Sequence, residues 1–297
     1  MNEDGLLSWY IIPTVIAVSV FLLAIFLEFV ARKNSSIVRL GELLKTGAFL
    51  DSTVLSITIG ILLISSGVQN YLFAPGIGLE DSIPHMVFRY TQIVIGMGLV
   101  VGTFTRLCTV GIVALFIGGF FFFPALRMLD YILFMGIGLF LFLVHKDVLS
   151  FAFFFHPLEK KGFLDKYRKY ALPILRFITG AGLIFVSVHH NIIDPQPAIN
   201  FIQERPLLNV MQSVFGLQDY SNALLVFNAG IFGILMGALL AFGLLERFVA
   251  SVLAIGLILM VIVGGVSFLP IAVPYFAIAY IVITGNQFEE REIKEKP

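Results

Sequence analysis

The sequence predicts an all-α, polytopic membrane protein of about nine transmembrane helices, one N-terminal helix followed by two parallel four-helix repeats. Three observations carry this expectation. Of the 297 residues, 59% are hydrophobic and only 13% charged, with a mean hydropathy of +0.98. One water-soluble core cannot hide that much apolar surface, so lipid must solvate much of it. Apolar runs of about 17 to 23 residues, long enough to cross a hydrocarbon layer of roughly 30 Å, recur between short polar or proline-bearing stretches. The basic residues, finally, are distributed unevenly about those runs.

Spans are expected near 9–31, 48–67, 87–104, 107–123, 128–144, 171–190, 222–244, 247–266 and 269–284. Threaded this way, all of the 19 Lys and Arg residues except Arg89, Arg127 and Arg205 fall on one face. The positive-inside rule makes that face cytoplasmic, with the N-terminus outside and the C-terminus inside the plasma membrane. A miscounted helix would scatter the asymmetry, so the bias supports the count as well. The opening Met1-Asn2-Glu3-Asp4-Gly5 lacks the basic start of a secretory signal, and 9–31 is expected to be a retained helix with Trp9 and Tyr10 at the outer interface. The organisation expected is an N-terminal helix and linker (1–47), a first four-helix repeat (48–144), a cytoplasmic linker (145–170), a second repeat (171–285) and a charged tail (286–297).

The formal net charge is zero, so no overall field recruits nucleic acid. The single cysteine, Cys108, excludes an intramolecular disulfide and a cysteine-cluster metal site. The 145–170 linker places Phe151, Phe153, Phe154 and Phe155 beside Lys160, Lys161, Lys166, Arg168 and Lys169. It reads either as a solvated linker obeying the charge rule or as a surface segment whose basic residues bind anionic lipid.

The spans after the first can be overlaid as two sets of four. Gly60 to Asn70, followed by Ala74-Pro75, aligns with Ala181 to Asn191, followed by Pro195-Gln196, pairing Ser66 with Ser187. Gly102-Thr-Phe-Thr-Arg106 aligns with Gly243-Leu-Leu-Glu-Arg247, and each third helix is expected to end at proline, Pro124 or Pro270 and Pro274. Four spans per unit start both on the same side, which makes the repeats parallel and not inverted. Four-helix units whose first helix ends in a polar cluster, and whose second closes in Gly-x-x-x-Arg, resemble the DoxX/DoxD superfamily. The resemblance covers about residues 48–284, with the helix at 9–31 as an addition. That superfamily includes the membrane subunit of archaeal thiosulfate:quinone oxidoreductase. The resemblance therefore implies an integral membrane subunit of a larger, quinone-linked oxidoreductase complex, with protein partner subunits and the lipid bilayer around it.

The outer ends of the two sets gather most of the polar residues: Gln69, Asn70, Glu80, Asp81, His85 and Arg89 in one, and His189, His190, Asn191, Asp194, Glu204 and Arg205 in the other. A quinone headgroup needs histidine or arginine donating to a carbonyl between aromatic and aliphatic walls. Gln69, Asn70, His85, Arg89, His189, His190 and Asn191 are the candidates, against the plainer reading that they cap helices and meet water. No metal is expected. His189 and His190 are neighbours pointing about 100° apart on an α-helix, so sharing one ion requires a distorted backbone. Haem, which needs facing histidines at one depth, is not expected either. Glu246 with Arg247 and Arg106, and likewise Arg127 with Asp130, read as salt-bridged interface anchors. Gly96 with Gly98, Gly136 with Gly138, and Gly233 with Gly237 read as close-packing positions. No nucleophile–base–acid set is present, so no catalytic residue is expected. Two further readings stay open: a structural or assembly subunit without chemistry, and a carrier for a small neutral solute.

Overall fold

The computed structural model of the protein describes residues 50–102, 104–144, 165–264 and 269–284. The helix expected at 9–31, the 32–47 segment, Lys160 and Lys161 and the 286–297 tail lie outside the described residues. The described part is all-helical, with no β-strand among the described residues and one isolated antiparallel bridge between Tyr71 and Gly78. Its long helices are α1 (Leu50–Val68), α2 (Ile83–Val101), α3 (Thr105–Gly119), α4 (Ile132–Val144), α5 (Ala171–Val188), α6 (Asn222–Ala241), α7 (Glu246–Gly264) and α8 (Leu269–Thr284). Two of them, α6 and the continuous stretch Lys166–Ile193 that contains α5, are long and apolar enough to cross a membrane by length and composition.

Sequence signals explain most helix ends and correct two expectations. Helix α2 begins at Ile83 and not at 87: Ser82 is extended and Pro84 sits in the first turn, where its missing N–H costs no hydrogen bond. Pro124 precedes a short helix (Ala125–Leu129) instead of ending α3, while Pro270 and Pro274 belong to α8, not to the end of the third helix of its set. Ser221 caps α6 by accepting the Leu224 N–H.

The long helices close a ring. Each packs on the next in chain order, from α1 through α8, and α8 returns to α1. Exchanging α1–α4 for α5–α8 maps every one of these packings onto another: α1/α2 onto α5/α6, α3/α4 onto α7/α8, and the α4/α5 seam onto the α8/α1 seam. Local geometry follows the same exchange. At the α1/α2 crossing, a Cβ on Gly60 would stand 2.7 Å from the Gly96 carbonyl oxygen, and one on Gly96 would stand 2.7 Å from that of Gly60. At the α5/α6 crossing, Gly180 and Gly237 face each other's carbonyl oxygens in the same reciprocal way. Only glycine lets two backbones approach so closely. The crossings therefore pair Gly60 with Gly180, a register one residue away from the Gly60–Ala181 alignment expected from the polar residues. The shift moves Gly67, not Ser66, opposite Ser187.

The α2–α3 and α6–α7 turns match as well. Gly102 (φ 72°) and Gly243 (φ 67°) are left-handed, and so are Phe104 (φ 51°) and Leu245 (φ 53°) two residues on. A bulky residue in that region costs roughly 1–2 kcal/mol. Beside these turns the two sets diverge chemically. The first carries Ser56, donating to the Leu99 carbonyl at 3.0 Å, and buried Thr105. In the second the corresponding places hold Arg176 and Glu246, which form a salt bridge. Glu246 is thus tied across the helix pair to Arg176.

The loop between α1 and α2 folds back into the bundle. Leu72, Phe73, Ala74 and Ile77 are buried, and Phe73 stacks on Phe134 of α4 with centroids 4.5 Å apart. Fully buried Gln92 holds this plug: its amide nitrogen donates to the carbonyls of Leu63 (3.0 Å) and Tyr71 (3.1 Å), and its oxygen accepts the Phe73 N–H at 2.9 Å. In the second set the Gln92 position is Gly233, and the space its side chain would need is filled by the Ser187 hydroxyl.

The outward faces are apolar. On α2, Ile83, Val87, Tyr90, Val94, Met97 and Val101 are exposed at alternating spacings of four and three, while Phe88, Gln92, Ile95 and Leu99 point inward. Leu107, Val110 and Ile117 on α3, and Ile255, Ile258 and Ile262 on α7, are bare in the same way.

Replacing Gly180 by Ala is expected to destabilise the bundle by about 1–3 kcal/mol, because the new methyl meets backbone on α6. Gly256→Ala on α7 has open space around it and is expected to leave the melting temperature in detergent unchanged or slightly raised. Thermal unfolding followed by circular dichroism compares the two. Glu246→Ala strands Arg176 and is expected to cost about 3–5 kcal/mol, whereas Arg176→Ser with Glu246→Thr, which copies the first set, should recover most of that loss in the same assay.

Candidate functional site: an aspartate between two histidines at the α4/α5 seam

The seam between the sets is antiparallel and close. Gly136 of α4 receives Ile178 of α5, and Gly182 of α5 receives Ile132 of α4. The start of α4 therefore lies beside the end of α5, and Asp130, just before α4, meets the histidines that follow α5. His189 Nδ1 lies 3.1 Å from Asp130 Oδ1, and His190 Nε2 lies 3.1 Å from Asp130 Oδ2. The side chains of Asp130, His189 and His190 are 14%, 17% and 44% exposed, so the pair opens to one side.

Two features let neighbouring histidines converge where an α-helix would spread them. Residues His189–Ile193 form a π turn, closed by the Asp194 N–H donating to the His189 carbonyl at 2.9 Å. The wider turn reduces the angle between successive side chains, and such turns frequently mark functional positions. The rings also use different atoms: His189 presents its near nitrogen and His190 its far one, so their unequal reach offsets the remaining divergence. Their centroids are 4.5 Å apart. The distorted backbone that a shared partner requires is therefore present. Gly230 of α6 supports the turn, because a Cβ there would stand 2.8 Å from Asn191 Cβ.

An ionised carboxylate only accepts hydrogen bonds, so with Asp130 charged both facing nitrogens carry protons. A neutral His189 then has Nε2 as an acceptor, and a neutral His190 has Nδ1. The site can hold two imidazoles in set tautomers, take a proton from a hydroxyl, or, with a ring charged, donate to a carbonyl. Tyr131, next to Asp130, accepts the Gly76 N–H at 3.0 Å, so the α1–α2 loop rests against the same corner.

The other candidates serve their own set. Gln69 donates to the Ser65 hydroxyl at 3.2 Å, and Asn70 ends α1 in a left-handed conformation (φ 62°), which asparagine tolerates. His85 accepts the Glu80 N–H at 3.0 Å and stacks on Phe123 at 5.0 Å. Arg89 lies over the Tyr90 ring at 5.7 Å. Asn191 packs on α6 at Gly230. The sequence reads Asp130 as an interface anchor with Arg127, whereas in the structure its carboxylate is bound by the histidines. The expected spans put residue 130 and residues 189–190 at similar depth, which permits this contact but does not select it from the other polar residues at that end. Of the lipid-binding candidates, Lys166, Arg168 and Lys169 lie in a 3₁₀ turn (Asp165–Tyr170), with Lys166 and Lys169 exposed.

Asp130→Ala is expected to release both imidazoles. Their carbethoxylation by diethyl pyrocarbonate, read by peptide mass spectrometry, should rise several-fold at His189, the more buried of the two, while His85 keeps its wild-type rate.

No protein-family model matches the chain, and neither a curated protein nor a solved structure matches it.

Proposed function

We propose that this chain is an integral membrane protein of nine spans, built on two parallel DoxX-like units, and that it acts as the membrane subunit of a quinone-linked oxidoreductase. The observation that carries the reading is the placement of an aspartate-anchored histidine pair at one end of helices whose outward faces are apolar. In water the bare stripe along α2 would be an aggregation surface; in lipid it costs nothing. A 19-residue helix is about 28 Å long, close to a hydrocarbon thickness of roughly 30 Å, which extends the spanning reading beyond the two longest apolar helices. The concentration of Lys and Arg in the loops at the Arg176–Glu246 end supports a cytoplasmic location for that end and an outside location for His189 and His190.

At the outer end, Asp130 orients the rings so that each presents a second nitrogen to a headgroup. In quinol oxidation one hydroxyl proton passes to an unprotonated ring nitrogen, where the anchoring carboxylate stabilises the imidazolium formed, the second leaves to solvent, and the two electrons pass to an acceptor in a partner subunit; reduction runs the same transfers in reverse. The electron acceptor or donor belongs to a partner subunit.

Solubilisation from native membranes is expected to recover bound quinone and a stoichiometric redox partner by mass spectrometry. Replacing both His189 and His190 by Ala should lower quinone-linked turnover about 100-fold or more with expression intact. Unchanged turnover in that variant would overturn the site. A partner recovered without quinone would favour an assembly subunit, and solute flux through the lone protein in liposomes would favour a carrier.

A further inference from the structure

We infer that Asp130, His189 and His190 form a binding site for a divalent transition-metal ion, with Zn²⁺ the best match. One carboxylate oxygen, one nitrogen of His189 and one nitrogen of His190 all lie within 4.8 Å of one another, and the two nearest nitrogen–oxygen pairs are at 3.1 Å. Around a tetrahedral Zn²⁺ with bonds of about 2.0–2.2 Å, neighbouring ligand atoms stand roughly 3.3 Å apart. His189 meets Oδ1 and His190 meets Oδ2 of the same carboxylate, so turning the carboxylate and the rings toward a shared centre brings three donor atoms to that spacing.

Ligand chemistry narrows the ion. Two imidazoles and one carboxylate suit Zn²⁺ and its first-row neighbours, whereas Mg²⁺ and Ca²⁺ seek oxygen-only shells. The backbone is arranged for the same purpose. The π turn brings successive residues onto one partner, Gly230 lets α6 close behind it, and the Asp194 N–H secures the His189 carbonyl. Half-exposed His190 gives a hydrated ion a way in. Three protein ligands leave a fourth position for water or for an oxygen of a bound molecule, as in open zinc sites.

This inference goes beyond the quinone reading and does not rest on it. An ion takes the place of the protons that join the rings to Asp130; those protons move to the other ring nitrogens or leave to solvent. With the displaced protons on the far nitrogens, both rings become hydrogen-bond donors toward the open side.

The test uses the full chain, purified in detergent, stripped with chelator and titrated with Zn²⁺ by equilibrium dialysis and elemental mass spectrometry. One Zn²⁺ per chain is expected, with micromolar affinity or tighter. Losing an outer partner of a metal ligand weakens binding about 10–100-fold, so His190→Ala and Asp130→Ala, which remove ligands, should each cost more than about 100-fold. His190→Gln, at a half-exposed position, covers the case in which Asp130→Ala does not fold. His85→Ala should bind as the wild type does. Co²⁺ substitution should give the visible d–d bands of a four-coordinate site, absent from the His189→Ala, His190→Ala double variant. Two results would overturn the site: no stoichiometric ion on the wild-type chain, or ion binding that survives in the double variant. Quinone binding, measured on the metal-stripped protein, reports separately on the functional reading.

Discussion

Where α1 crosses α2, and again where α5 crosses α6, the carbonyl oxygen of one glycine lies too close to leave room for a Cβ on the other. The rest of the structure depends on this contact. Backbones that touch at Gly60 and Gly96, or at Gly180 and Gly237, leave no freedom in the depth or angle of the helix pair, because any displacement drives side chains into main chain. Each pair then acts as a rigid element. The third and fourth helices of its set pack beside it, and the two sets close on one another through the α4/α5 and α8/α1 seams. Dispersion and close fit contribute to this cohesion where backbones approach without intervening side chains.

The two seams are equivalent in packing but not in chemistry. At one end of the α4/α5 seam Asp130 is held against His189 and His190, whereas at α8/α1 the first helix is followed by Gln69 and Asn70, which bond within their own turn and loop. At the opposite end of the bundle, Ser56 and Thr105 of one set stand where Arg176 and Glu246 stand in the other. One half is closed by Gln92 and a buried loop; the other gives up that glutamine for Gly233 and closes the helices directly. A duplicated scaffold with one polar corner is a geometry in which a single site can form while the symmetric position remains structural.

Asp130 has two ways to be satisfied at that corner. Two imidazole N–H groups can donate to its two oxygens, or a cation can sit among all three side chains. Both neutralise a partly buried carboxylate beside apolar helices, where an unpaired charge is costly. The choice between protons and an ion decides whether the outward ring nitrogens accept or donate, and so links what occupies the corner to what the site can hold.

Composition and hydropathic periodicity alone determined that the chain is helical, that α1 to α8 lie close to the expected spans, and that Gly102 and Gly243 close matching turns. These are local properties, set by apolar run length, by proline and glycine, and by the spacing of small residues. Only the tertiary structure decided the rest. The one-residue register, Gly60 with Gly180 and not with Ala181, is set by which glycine meets a carbonyl on the neighbouring helix. Pro270 lies in the first turn of α8, where its missing N–H costs no hydrogen bond, and Pro274 lies inside the same helix. The histidine pair was legible as a polar cluster, but its partner was not: Asp130 lies 59 residues away in sequence. It meets His189 only because the seam runs antiparallel and the backbone widens into a π turn, and neither fact is written in the local pattern of residues.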